Sequence, residues 1–154
     1  MTPADAFGAY STEEQAEATM LRRDVMAPWQ VRCVQEYVAA HLHAKIRMVD
    51  LAGIVQLGPY RFKRVFKASF GCTPHQYVIR QRVERALSLM IVSKDPLSQI
   101  SAECGFVDQS HLSNLFRKIV GARPGTWRRI HTRRKAEPAG AKAQRTIGRE
   151  SWSS

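Results

Sequence analysis

An internal duplication constrains this chain more than any other feature. LAGIVQLGPYRFKRVFKASFGCTP (51–74) aligns with ISAECGFVDQSHLSNLFRKIVGARP (100–124). Leu51 falls on Ile100, Val55 on Cys104 and Leu57 on Phe106, each 49 positions apart. After one extra residue in the second turn, Phe62 falls on Leu112, Phe66 on Phe116, Gly71 on Gly121 and Pro74 on Pro124, each 50 apart. Apolar residues coincide where a helix pair would face a core, and the positions that would face solvent differ. One structural unit has been used twice.

Each copy reads as a helix of about eight residues, a tight turn, and a helix of about eleven, the proportions of a helix-turn-helix. The pairs occupy 48–69 and 97–119. Between them, 74–92 has Tyr77, Val83, Ala86, Leu87, Met90 and Ile91 at helical spacing, which predicts a long linking helix. A further helix is expected from Trp29 to Leu42, with Pro28 near its first turn and Val31, Val34, Val38 and Leu42 on one face. A last helix opens at Pro124, with Trp127 and Ile130 expected to face inwards and Trp29 and Trp127 expected as core anchors. No segment joins period-two alternation to hairpin turn signals. The expectation is an all-α fold of 29–131, flanked by an acidic, flexible leader (1–28) and a basic, disordered tail (132–154). Ser11 and Glu14 resemble a capping box for a short helix in the leader.

The outward sides of the two second helices carry the chemistry. The first offers Tyr60, Arg61, Lys63, Arg64 and Lys67; the second offers Gln109, Ser110, His111, Ser113, Asn114, Arg117 and Lys118. Arg and Lys donate to guanine O6/N7, Gln and Asn pair with adenine N6/N7, and Tyr can meet a thymine methyl. Asp108 reads as an N-cap rather than a DNA contact. A charged exterior is ordinary for any helix; the repetition and the charge balance argue for more. Residues 29–131 hold 16 Lys+Arg against six Asp+Glu, while residues 1–28 hold two against five. A basic core suits a polyanion, because each cation placed on a phosphate releases a condensed counterion. A linking helix of 19 residues at ~1.5 Å per residue is a rod of ~28 Å. Held apart by it, two recognition helices could enter successive major grooves, ~34 Å apart, without the chain dimerising.

Other chemistry finds no support in the residue pattern. Cys33, Cys72 and Cys104 are odd in number, far apart and without a C-x-x-C pair, so they read as buried thiols rather than a disulfide or zinc framework. His41 and His43 point to nearly opposite helix faces, and His75 has no Cys or acidic partner at ligand spacing. No phosphate-loop, nucleophile-elbow or H-E-x-x-H motif occurs. No catalytic residue, cofactor or metal is therefore assigned. No apolar run spans a bilayer and the N-terminus lacks a secretory signal, so the expectation is a cytoplasmic, nucleoid-associated protein without a membrane partner.

CGFVDQSHLSNLFRKIVGARPGTWR (104–128) resembles the C-G-F-x-D-Q-S-H-F-S-R-x-F-K-x-x-x-G-x-x-P-x-x-Y-R signature of the arabinose-regulator (AraC/XylS) family of bacterial transcription factors. FKRVFKASFGCTPHQYVIRQRVERA (62–86) resembles that family's F-K-x-x-x-G-x-T-P-x-x-Y-x-x-x-x-R-x-x-x-A pattern, and APWQ (27–30) and PLSQIS (96–101) are also family-like. The resemblance covers about 28–131. It implies a seven-helix domain in which two helix-turn-helix units are bridged by a long helix. It places base reading on Tyr60, Arg61, Lys63 and Arg64, and on Gln109, Ser110, His111, Ser113 and Asn114. Arg117, Lys118 and Arg128 would lie near phosphates, as would Lys67 at the end of the first reader. Three departures stand out: Gln56 where the turn usually has Gly, Arg47 where a Ser/Thr cap is usual, and Asn114 where Arg is frequent. A positive φ at Gln56 would cost on the order of 1 kcal/mol. Twenty-eight leading residues cannot build the sensor or dimerising domain that many members carry, so the resemblance implies a stand-alone or truncated DNA-binding member.

The expected function is sequence-specific binding of double-stranded DNA in transcription regulation, with activation and a contact to RNA polymerase as family-like properties. Two alternatives are a basic RNA-binding protein and a module that docks polymerase rather than DNA. The first is disfavoured because the reading faces lack paired aromatics on which unpaired bases stack.

Overall fold

A computed structural model describes residues 24–136. Seven helices follow one another among the described residues: α1 (Pro28–His41), α2 (Met48–Ile54), α3 (Pro59–Phe70), α4 (Pro74–Val92), α5 (Leu97–Glu103), α6 (Gln109–Val120) and α7 (Pro124–Ala136). Strands are absent among the described residues. Pro28, Pro59, Pro74 and Pro124 each open a helix, where the missing N–H forfeits no intrahelical bond. Thr73 starts α4 with a reciprocal cap: its Oγ1 accepts the Gln76 N–H at 3.2 Å, and Gln76 Oε1 accepts the Thr73 N–H at 3.0 Å.

The duplication appears in space as two cores. The first joins Val34 and Val38 of α1, and Leu42 just after it, to Leu51, Val55, Phe62, Val65 and Phe66, and takes Val78 from α4. The second joins Val83, Ala86 and Met90 of α4 to Ile100, Cys104, Phe106, Leu112 and Phe116. Burying each large side chain stabilises the fold by roughly 1.5–3 kcal/mol. Equivalent backbone devices recur. Gly71 (φ 71°) and Gly121 (φ 83°) close the two second helices in the left-handed region, and Gln56 (φ 57°) and Gly105 (φ 80°) make the two helix-to-helix turns. Gln56 thus adopts the left-handed φ that is costly for a non-glycine residue. Arg47 lends α2 no side-chain cap; its guanidinium instead grips Asp50 one turn on, with Nε and Nη2 each at 3.0 Å from a carboxylate oxygen.

Several packing expectations need correction. Trp29 is half exposed. It lies roughly 140° around α1 from Val34, five residues on at about 100° each, and so off the buried stripe. Ile91 is exposed beside the buried Met90, while Val78 enters the core. Ile130 is also exposed, because the inner side of α7 runs through Pro124, Trp127, Arg128 and His131 and leaves Ile130 to one side. Trp127 does face inwards, its ring edge-on to Phe116 at 6.0 Å and stacked on His131 at 3.9 Å. Cys72 and Cys104 are buried and Cys33 is half-buried. The leader is not loose up to residue 28: Met26 is buried in the first core and its N–H donates to Ser69 Oγ at 2.7 Å. Nor does the tail begin at 132, since α7 continues to Ala136. The leader helix suggested by Ser11 and Glu14, and the tail beyond 136, lie outside the described residues.

Candidate nucleic-acid interface

The two second helices, α3 and α6, each turn an apolar side inwards and a polar side to solvent. In α3, Phe62, Val65 and Phe66 are buried, leaving Tyr60, Arg61, Lys63, Arg64 and Lys67 exposed. Tyr60 is 95% exposed and has no packing role. Arg64 meets the described end of the leader: its Nη2 lies 3.3 Å from Asp24 Oδ1, with both side chains largely in solvent. The start of α3 combines Gly58 as N-cap with Pro59, and neither supplies a side-chain cap to the first turn.

α6 is built differently at its start. Asp108 caps it, Oδ1 accepting the His111 N–H at 2.7 Å. His111 is half-buried, edge-on to Phe106 at 5.6 Å, and its Nδ1 accepts the Val107 N–H at 3.3 Å. With Nδ1 used as an acceptor, the neutral ring carries its proton on Nε2, and His111 presents a donor. Gln109, Ser110, Asn114, Arg117 and Lys118 are exposed, and Ser113 is half-buried.

Ser113, Asn114 and Arg117 line one wall of an open groove of about 590 Å³, whose other wall is the start of α7. That wall brings Arg123, Gly125, Thr126 and Arg129 to the same place. Sequence reasoning passed over Arg123 and Arg129. The available signal was Pro124 opening a helix directly after an arginine, since a helix N-terminus presents backbone N–H groups to an anion.

Arg128 is the one predicted phosphate residue that the geometry takes elsewhere. Its Nη1 donates to Asp95 O at 2.6 Å, Nη2 to Ser93 O at 2.7 Å and Nε to Met90 O at 3.3 Å. The guanidinium closes the C-terminal end of α4, whose last carbonyls have no intrahelical donors. Lys67, Arg117 and Lys118 keep their exposed positions.

Among the described residues no three His, Cys, Asp or Glu side chains form a metal-ligand set. Among them, no helix is long and apolar enough to cross a membrane.

Comparison with known proteins agrees with this architecture. A family model described as a helix-turn-helix domain matches residues 51–130. The probable transcriptional regulator LumQ of Photobacterium leiognathi is 38% identical over 91 residues, 59% of this chain and 37% of that one. The arabinose operon regulatory protein of Escherichia coli K12 is 28% identical over 100 residues, 64% of this chain and 34% of that one. The chain thus spans about a third of the length of these curated relatives. Among solved structures, the DNA-binding domain of the global transcriptional factor AdpA, crystallised with a target DNA, superposes with a TM-score of 0.64 at 28% identity, covering 68% of this chain and 94% of that one. A regulator from Chromobacterium violaceum with an AraC-type DNA-binding domain gives a TM-score of 0.63 at 24% identity, covering 71% and 95%, a likeness of fold. With its duplicated helix pairs, its long connecting helix and a family model matched across both, the chain belongs to the AraC/XylS family of helix-turn-helix transcription regulators.

Proposed function

We propose that this protein regulates transcription by reading double-stranded DNA sequence-specifically, with α3 and α6 in successive major grooves. The observation that carries the reading is the pairing of two solvent-facing helical surfaces on separate cores, one basic and one rich in amide and hydroxyl groups. Arg64 and Arg61 offer guanine-directed donors, Gln109 and Asn114 offer bidentate amide groups for adenine, and His111 Nε2 offers a donor to an acceptor on a base edge or phosphate. Lys63 serves either role, and Ser110 and Ser113 add hydroxyls. Lys67, Arg117 and Lys118 hold the backbone, joined by Arg123 and Arg129 in the groove at the start of α7. The two readers differ in chemistry, so the favoured site is asymmetric and one copy of the chain suffices to occupy it. The structure of AdpA with its target DNA supports duplex DNA as the partner.

RNA polymerase is the second macromolecular partner in this reading, a contact that family members which activate transcription also make. The protein then works as a non-enzymatic regulator at the nucleoid.

Fluorescence anisotropy with a duplex selected from a random pool tests the reading. Affinity should fall steeply between ~50 and ~200 mM salt, and duplex DNA should outcompete structured RNA. Arg64→Ala should cost ~1–3 kcal/mol on the selected duplex and relax preference at one base. Equal loss on random duplex would reduce Arg64 to a phosphate clamp, and a preference for RNA would overturn the proposal.

A further inference from the structure

The two cores meet α4 on either side of a narrow division: Val78 belongs to the first and Val83 to the second. Arg82 sits at that division. Its Nε donates to Leu42 O at 3.1 Å and its Nη2 to Ala44 O at 2.8 Å, so a side chain of α4 holds the carbonyl end of α1. Gly105, in the turn of the second unit, reaches the same spot. A Cβ on Gly105 would collide with the Leu42 carbonyl oxygen and would stand 3.0 Å from Arg82 Nε. Three segments therefore converge on one carbonyl: the end of α1 from the first unit, Arg82 from the shared helix, and the turn that launches α6.

We infer that this junction of Arg82, the Leu42 carbonyl and Gly105 fixes the stagger of the two recognition helices and so selects the spacing between the two halves of the DNA site. The inference rests on the DNA-reading proposal and makes Arg82 a positioning residue, since its donors are turned to backbone carbonyls of the chain itself. The physical argument concerns stiffness. Each core fixes its own recognition helix, but a single helix between two cores bends and twists unless a second contact braces it. Arg82 supplies that brace with two charged hydrogen bonds, and desolvation at this site lowers its pKa, as expected for a guanidinium held against protein. Gly105 lets the second unit approach closely enough for its turn to rest against the same carbonyl. One base pair of spacer moves a half-site by about 3.4 Å and rotates it by about a tenth of a turn, so a braced protein discriminates where a loose one adapts.

The test uses the full chain and three kinds of duplex: the selected site, the same site with its spacer altered by one or two base pairs, and the site with one half scrambled. Arg82→Met keeps the aliphatic stem and removes the donors; Arg82→Lys keeps the charge but cannot reach both carbonyls as a planar fork. The wild type should prefer the native spacer by about tenfold, a coupling of about 1.4 kcal/mol. Arg82→Met should reduce that preference to within about threefold while the half-scrambled duplex binds within twofold of wild type, and Arg82→Lys should fall between. Should Arg82→Met not fold by circular dichroism, Arg82→Lys decides by the same ratio. An unaltered spacer profile in a folded variant overturns the inference and leaves the DNA reading standing, as does a parallel loss on half-scrambled and full sites, which would make Arg82 a stability residue only. Absence of sequence-selective duplex binding by the wild type overturns both.

Discussion

Replacing Arg128 with Ala separates a structural guanidinium from a phosphate contact. In the fold, Arg128 fans three donors onto Met90 O, Ser93 O and Asp95 O at 3.3, 2.7 and 2.6 Å. Each charged hydrogen bond contributes ~1.5–3 kcal/mol where it is shielded, but Arg128 is only half-buried, so water replaces part of the loss. A net destabilisation of about 2–4 kcal/mol follows, below the ~5–15 kcal/mol that holds a domain together, so the variant should still fold. For a domain of roughly this size 1 kcal/mol corresponds to about 4–8 °C, which places the drop in Tm at about 8–30 °C. Arg128→Lys should recover less than half of it, because one ammonium cannot span three divergent carbonyls. Thermal unfolding by circular dichroism gives the stability term, and anisotropy across a salt series gives the phosphate term. An unchanged Tm with the log-affinity against log-salt slope reduced by about 0.9, the value for one lost phosphate contact, would refute the structural assignment.

Further outcomes follow from single sites. Asp24→Asn frees Arg64 from its exposed partner and should tighten duplex binding about two- to fivefold at low salt; unchanged or weaker binding would show that the pair does not compete with DNA. Gln56→Gly relieves a left-handed φ of 57° at a cost of about 0.5–1 kcal/mol in unfolded-state entropy, so stability in urea should hold level or rise by up to about 1 kcal/mol. A loss of more than that would mean the Gln56 side chain has a role of its own. Burial pushes the Cys104 thiol up to about 11 from an ordinary value of 9.0, so on unfolding the thiol ionises more readily than in the native state. Stability should therefore decline as pH rises from about 9 to about 11, by no more than about 1.4 kcal/mol per pH unit from this group. Cys72 and Tyr77, also raised by burial, add to the same decline, so Cys104→Ala should lessen the alkaline slope in urea titrations without abolishing it; an identical slope would contradict the burial argument.

The parts of this fold that could be read from sequence are those governed by local period and by repetition. Phe62 and Phe66, with Leu112 and Phe116, are findable because the same apolar spacing occurs twice, and the turn at Gln56 because the resemblance places a Gly there. The α4 span was legible from Pro74 and the apolar spacing behind it. The misplaced residues fail for a tertiary reason. Trp29, Ile91 and Ile130 are apolar at plausible positions, yet no second element among the described residues covers them, and sequence period does not reveal what stands opposite. Arg82 and Arg128 lay beyond reach because their partners are main-chain carbonyls 33–40 residues away in sequence. A backbone acceptor leaves no mark of its identity in the chain, so Arg128 reads as a phosphate contact and Arg82 carries no assignment. The exposed polar residues of α3 and α6 were legible from side-chain chemistry and helical spacing.

Hydroxyl-radical footprinting of the wild-type chain on its selected duplex tests the central claim most directly. Two protected patches on one face of the DNA, centred about one helical turn apart and covering dissimilar sequences, are the predicted pattern. A single patch confined to one groove, or protection spread evenly along the duplex, would contradict a pair of staggered readers.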